Sequence, residues 1–215
     1  MRTRLVIGIA IVFGWIAYVG LAAEQLASRS TEDWIKTLDA PARIAGLKVD
    51  EVIAHLKLVP GMTIADLGAG TGAFALPFAK AVGPTGKVYA VEIDRGLIDH
   101  IAGKAKAAGA ANVQAILGAP GDPGLPGSVD VAFMNDVLHH VQDRAGYVKQ
   151  VARYLKPRGR FVVIDPDTVS SPHRGVPTLI VSQTQAGEWL QAAGLVFRAD
   201  IKLFSDRWFM IYGTK

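Results

Sequence analysis

"TIADLGAGTGAF" runs from Thr63 to Phe74. Its first half is an apolar run that reads as a buried strand. Gly68, Gly70 and Gly72 follow at alternate positions, and a helical pattern starts directly after them. Glycine has no Cβ, so the backbone at such a loop can come close to a ligand. The helix that opens next turns its unpaired amide N–H groups toward the same place. A strand, a glycine loop and a helix in this order begin a parallel α/β sheet and commonly hold a nucleotide-like cofactor. Gly68-x-Gly70-x-x-Ala73 also satisfies the loose dinucleotide pattern, so the loop alone leaves the cofactor open.

The same rhythm continues outward. A short helix is expected over Asp50–Leu58, broken by "VPG". Strands are expected at Met62–Leu67, Lys87–Glu92, Asn112–Leu117, Val129–Met134 and Arg160–Ile164. Helices are expected at Ala73–Val82, Arg95–Ala108 and Arg144–Leu155, with "KPRG" ending the last of these. Ser182 and Gln185 read as a capping box that opens a helix to Ala193. Leu195–Ile201 and Trp208–Tyr212 are joined by a short link and are expected to pair antiparallel. Apolar strands alternating with amphipathic helices imply a mostly parallel sheet covered on both faces, a three-layer α/β/α sandwich. Ligands of such sheets bind at the carboxyl ends of the strands.

Two acids narrow the ligand. Glu92 ends the second strand, 20 residues beyond Gly72, where a carboxylate can accept hydrogen bonds from vicinal ribose hydroxyls. Asp66 stands two residues before Gly68, where dinucleotide loops carry an apolar residue. An acid there repels a pyrophosphate and suits a cationic amine, which favours a cofactor with an amino-acid tail. The competing reading of Asp66 is a cap on loop amides.

With these pieces the sequence resembles the class I S-adenosylmethionine-dependent methyltransferases, most closely the small-molecule members of the ubiquinone/menaquinone-biosynthesis kind. The matching stretches are "IADLGAGTG", "VYAVEID", "SVDVAFMNDVLHHV" and "YLKPRGRFVVID", in the family's order. The resemblance implies a Rossmann-like fold with a seven-stranded, mostly parallel sheet and an antiparallel last strand, and S-adenosyl-L-methionine as cofactor. It implies that the loop Gly68, Ala69, Gly70 and Gly72 holds the methionine part, with Asp66 beside it. Glu92 would bind the ribose and Ile93 would lie against the adenine. Asn135 would contact the methionine side or line the substrate entrance. The chain departs from the family after strand three, where many relatives carry an acid directly after a glycine. Here Gly118 is followed by Ala119 and Pro120. Either Asp122 reaches the adenine from a shifted loop, or the Ala119 backbone serves instead.

A general base is needed only where the acceptor must lose a proton. Asp136, His139 and His140 in "NDVLHHV" lie where strand four opens onto the cofactor, and imidazole titrates near neutrality. The bland alternative makes one histidine a core residue and the other a solvated one. His173 sits in a proline-rich loop after strand five, which either covers substrate or is plain surface. No metal is expected: adjacent histidines are taken to point apart, and no third ligand is spaced with them.

The chain has 215 residues with 23 Lys and Arg against 19 Asp and Glu. The charges are scattered, with no basic stripe interleaved with aromatics, so nucleic acid is not an expected partner. There is no cysteine, which excludes disulfides, Cys-based zinc sites and thiol-dependent methyl transfer to arsenite. No "NPPY"-like stretch follows strand four, which argues against methylation of base amino groups. Leu5–Ala23 is a run of 19 residues without charge after "MRTR". As a helix it is roughly 28 Å long, near the ~30 Å hydrocarbon core. Residues 1–27 are therefore expected to be a membrane anchor or a cleaved signal, residues 28–48 a linker, and residues 49–215 the methyltransferase domain. An anchored domain facing the cytoplasm, where the cofactor is made, is the expected location; export after cleavage is the alternative. The expected partner is a small methyl acceptor, apolar or lipid-like. A tethered non-catalytic protein and an NAD(P)-dependent oxidoreductase are the competing functions.

Overall fold

The computed structural model describes residues 29–215. The expected anchor or signal segment, residues 1–27, lies outside the described residues. Among those described, no helix is long and apolar enough to cross a membrane.

The chain divides between Thr37 and Leu38. In the first part, the Ser30 hydroxyl accepts from Asp33 N–H at the start of helix α1 (Thr31–Leu38). The Arg29 guanidinium lies over the Trp34 ring, 4.5 Å from its centroid. The second part opens with α2 (Pro41–Gly46) and α3 (Val49–Leu56). Within the stretch expected as a linker, residues 31–38 and 41–46 are helical, and from Leu38 onward the chain groups with the second part.

Then follow β1 (Thr63–Leu67), α4 (Ala75–Val82), β2 (Lys87–Glu92), α5 (Arg95–Ala107), β3 (Val113–Leu117) and β4 (Val129–Asn135). A 3₁₀ turn at Leu138–His140 leads to α6 (Arg144–Ala152) and β5 (Leu155–Pro166). A second 3₁₀ turn at Pro177–Leu179 leads to α7 (Gln183–Ala192), β6 (Val196–Asp200) and β7 (Arg207–Gly213). The sheet order is β3-β2-β1-β4-β5-β7-β6. β7 runs antiparallel between β5 and β6, and the pairs from β3 to β5 are parallel.

Alternation of side chains across each strand builds two cores. Ile64, Val88, Val131, Phe133 and Ile164 meet Val52, Leu56, Phe78 and Val82 from α3 and α4 on one face. Ala65, Val91, Met134, Phe161 and Met210 meet Val148 and Val151 of α6 and Leu190 of α7 on the other. Phe133 is fully buried between Phe74 and Phe78, with ring centroids 4.8 and 5.1 Å away.

The expected helix to Leu155 stops at Ala152 because Tyr154 turns its carbonyl to Val129 N–H at 2.8 Å. "KPRG" is not a break between elements. It is looped out within β5, whose pairing jumps from Val129–Leu155 to Val131–Arg160. Arg158 adopts φ +64° there. Ser182 does cap α7, its hydroxyl accepting from Gln185 N–H at 3.1 Å.

Candidate active site

β1 ends at Leu67, and the next two amides, Gly68 and Ala69, both donate to the Val91 carbonyl of β2 at 2.9 Å. This fork turns the chain sharply. Gly68, Gly70 and Gly72 have φ of +75°, +57° and +75°, a region costly for residues with a Cβ. At Gly68, a Cβ would stand 2.5 Å from Val137 Cγ2. The close approach needed at that glycine is therefore to the chain after β4.

Gly70 N–H donates to Glu92 Oε2 at 2.9 Å, and Ile93 N–H donates to Oε1 at 2.7 Å. The Glu92 carboxylate is thus fixed against the glycine loop at the end of β2. Burial raises its pKa, and these backbone donors oppose the rise. Ile93 is 62% exposed beside it, an apolar face in the position expected for adenine.

Asp66 is 3% exposed, and its Oδ2 has no hydrogen-bond partner. Burial, and then the charge of Glu92, push its pKa up to about 7. An unpaired buried carboxylate is costly. A ligand ammonium at this point removes the cost. The orphaned oxygen, the glycine turn and the fixed Glu92 together fit a cofactor with a cationic amino-acid tail and a ribose.

Residues of the expected linker reach this loop. Thr71 Oγ1 donates to Asp39 Oδ1 at 2.5 Å. Lys104 Nζ donates to the Thr71 carbonyl at 3.0 Å and lies 3.8 Å from Asp39. Leu38 Cδ1 lies 3.1 Å from where a Cβ on Gly70 would be. Sequence reading missed Leu38 and Asp39, whose neighbours are set by tertiary packing.

After β3, the two groups expected near the adenine have partners within the protein. Asp122 accepts from Gly124 N–H at 2.8 Å, Tyr154 Oη at 2.9 Å and Gln150 Nε2 at 2.7 Å. It ties its own loop to the end of α6, and the Gly124 N–H, followed by the Tyr154 and Gln150 donors, lowers its pKa. The Ala119 amide and carbonyl are engaged with the Asp122 backbone at 2.9 and 3.1 Å.

Asp136 also has partners within the protein. It has φ +57° at the end of β4. Its Oδ1 accepts from Arg207 Nε at 2.8 Å, and its Oδ2 from Asn135 Nδ2 at 3.3 Å. The pair joins the end of β4 to β7 across β5. Asn135 Oδ1 is buried without a partner, so this residue keeps an acceptor for a ligand. Arg43 is the second cation facing Asp136. Arg43 and Arg207 carried no sequence signal, since their neighbour is set by tertiary packing.

The histidines contradict the expectation that they point apart. The His139 and His140 ring centroids are 4.0 Å apart, because a 3₁₀ turn and not a strand carries them. His173 joins them, 5.1 and 5.3 Å from the two rings. His139 Nδ1 lies 2.9 Å from Oδ1 of fully buried Asp165 at the end of β5. Partial desolvation by the surrounding protein, and then the neighbouring histidines and Arg144, lower the pKa of the surface-exposed His140.

Fold and site define a class I S-adenosylmethionine-dependent methyltransferase: a seven-stranded sheet with antiparallel β7, a glycine turn after β1, and acids at Asp66 and Glu92. Residues 58–194 match the family described as "Methyltransferase domain", and the chain belongs to that family. Its cofactor is S-adenosyl-L-methionine. The chain is 31% identical over 113 residues to a demethylmenaquinone methyltransferase of Lactococcus lactis, covering 52% of this chain and 45% of that protein. It is 33% identical over 108 residues to the nocamycin O-methyltransferase of Saccharothrix syringae, covering 50% and 39%. The chain thus spans less than half the length of these curated relatives. Among solved structures, it resembles a SAM-dependent methyltransferase from Aquifex aeolicus with a TM-score of 0.77 and 23% identity, over 87% of this chain and all of that one.

Proposed function

We propose that this protein transfers the methyl group of S-adenosyl-L-methionine to a small apolar acceptor of the quinone or lipid-like kind. The observation that carries the cofactor half is the buried, partnerless Asp66 Oδ2 beneath a glycine turn fixed to Glu92. S-adenosyl-L-methionine supplies a methyl carbon already activated by its sulfonium. Asp66 would hold the ammonium of the tail, and Glu92 the ribose hydroxyls. The Gly68–Gly72 turn lets the methionine part lie close to the backbone, and Asn135 offers its orphaned oxygen on the acceptor side. The chain's task is alignment and exclusion of water. Such positioning can supply on the order of 7–11 kcal/mol of a barrier in favourable cases.

The acceptor class rests on the uncharged run Leu5–Ala23 and on likeness to a relative named for demethylmenaquinone. A membrane anchor raises the local concentration of an apolar acceptor. We place the domain on the cytoplasmic side of that membrane, where the cofactor is available. Two measurements test this. The first is calorimetric titration with S-adenosylhomocysteine, with NAD as a parallel titrant. Micromolar binding of the former alone supports the reading. Binding of NAD, or of neither, overturns it in favour of an oxidoreductase or a tethered non-catalytic protein. The second is methyl transfer from labelled cofactor to short-chain naphthoquinols against polar phenols. Preference for the polar series overturns the apolar acceptor.

A further inference from the structure

His139, His140 and His173 take no part in the methyl transfer proposed above, yet two segments of chain converge to bring them together. The 3₁₀ turn after β4 carries the first two, and the loop after β5 carries the third. One ligand atom from each lies within 4.8 Å of the other two. We propose that these three histidines bind one divalent transition-metal ion of the zinc class at the carboxyl ends of β4 and β5.

The surroundings are those of a metal site. Asp165 Oδ1 engages His139 Nδ1 at 2.9 Å, which leaves Nε2 as the nitrogen available to an ion. A buried carboxylate behind a ligating imidazole fixes its tautomer and raises its donor strength. Asp165 Oδ2 is buried and has no hydrogen-bond partner, so this carboxylate, which also feels the charges of Arg144 and Arg207, keeps an acceptor oxygen that added positive charge at His139 favours. Arg144 binds the two ligand-bearing segments together. Its Nη2 donates to the His139 carbonyl at 2.7 Å and also to the Thr178 carbonyl, and its Nε donates to the Leu138 carbonyl at 3.2 Å. It therefore fixes the loop that holds His173 against the turn that holds the other two.

Donor chemistry selects the ion. Three imidazoles without thiolate or carboxylate in the first set suit Zn²⁺, Co²⁺ or Ni²⁺ rather than Mg²⁺ or Ca²⁺. Three protein ligands leave a fourth position open. Tetrahedral ligand nitrogens about 2.0–2.1 Å from zinc stand roughly 3.3 Å apart. The cluster must then draw in by about 1.5 Å from its widest spacing, given those bond lengths. His140 is exposed and His173 half-buried on an irregular stretch, so side-chain rotation at these two suffices while His139 stays fixed. The open position would take water or an oxygen of the acceptor. The second use rests on the methyltransferase reading, whereas ion binding does not.

The test uses the untagged full chain, stripped with a chelator and titrated with Zn²⁺ by calorimetry and with Co²⁺ by visible absorption. We expect one ion per chain and the intense visible bands of four-coordinate Co²⁺. His173→Ala and His140→Ala are each expected to abolish those bands. Asp165→Asn is expected to weaken binding by about 10–100-fold. His55→Ala, outside the cluster, should change nothing. Retained S-adenosylhomocysteine binding in the His173 variant shows that it is folded. Absence of stoichiometric Zn²⁺ binding, or binding untouched by His173→Ala, overturns the site. Loss of cofactor binding in the unaltered chain would instead count against the methyltransferase reading and leave the metal result standing.

Discussion

Asp39 accepts a hydrogen bond from Thr71 Oγ1 at 2.5 Å, so a residue ahead of the sheet secures the turn on which the cofactor site is built. Asp39 also faces His100 at 3.7 Å and Lys104 at 3.8 Å, which fasten it to α5. Hydrogen bonds to a charged group contribute roughly 1.5–3 kcal/mol. Asp39→Ala is expected to raise the dissociation constant for S-adenosylhomocysteine by about tenfold, which is about 1.4 kcal/mol. Calorimetric titration of the variant checks this; an unchanged constant would show that the turn holds itself.

Gly68→Ala is expected to destabilise the protein by about 1–3 kcal/mol through overpacking, with the left-handed φ of +75° adding strain. The added methyl would meet Val137 Cγ2. Combining it with Val137→Ala should recover part of the loss, because the two sites are in contact and do not add independently. Thermal unfolding of the two single variants and the double reads the coupling.

Asp66 makes cofactor affinity and stability depend on pH in opposite ways. Its pKa of about 7 in the fold is well above the ~3.9 of an unfolded chain. The folded state therefore binds more protons between those values. The stability linked to this proton is full below about pH 4 and falls as pH rises through 7. A ligand ammonium needs the ionised form, so S-adenosylhomocysteine binding should release a proton and tighten from pH 6 to pH 8. Calorimetry in buffers of different ionisation enthalpy measures the proton count. Asp66→Asn should abolish both trends.

Asp136→Asn separates a tie from a proton acceptor. Weakening the ion pair with Arg207 is expected to lower the melting temperature while the pH profile of methyl transfer keeps its shape. A lost pH-dependent limb with unchanged stability would support a catalytic role for Asp136.

Glu92→Gln should keep the fold, since its amide oxygen can still accept from Gly70 or Ile93 N–H. It should lose about tenfold or more in cofactor affinity, as charge-assisted acceptance from ribose is roughly twice as strong as neutral. Circular dichroism with titration distinguishes this from unfolding.

Much of the fold was legible because its signals are local. Apolar periodicity marked β1 to β5, and the spacing of Gly68 to Glu92 placed two cofactor-facing groups at adjacent strand ends. Where reading fell short, the partner was remote. Tyr154 and Gln150 reach Asp122 from α6 and its C-terminal end. β7 brings Arg207, 71 residues later, beside Asp136. "KPRG" looked like a break because its composition is that of a turn, whereas sheet pairing on both sides absorbs it within β5.

The sequence by itself determined the parallel sheet, the glycine turn and the acids Asp66 and Glu92, and its motifs carried the resemblance that implied the methyltransferase class. Each depends on spacing within one strand–loop–helix unit or between neighbouring units. Only the tertiary structure decided that Asp39 secures the turn, which partners Asp122 and Asp136 meet, and that His173 meets His139 and His140 over Asp165. Those contacts follow from the order β1-β4-β5-β7, which sets distant segments at common strand ends, and no local pattern encodes that order.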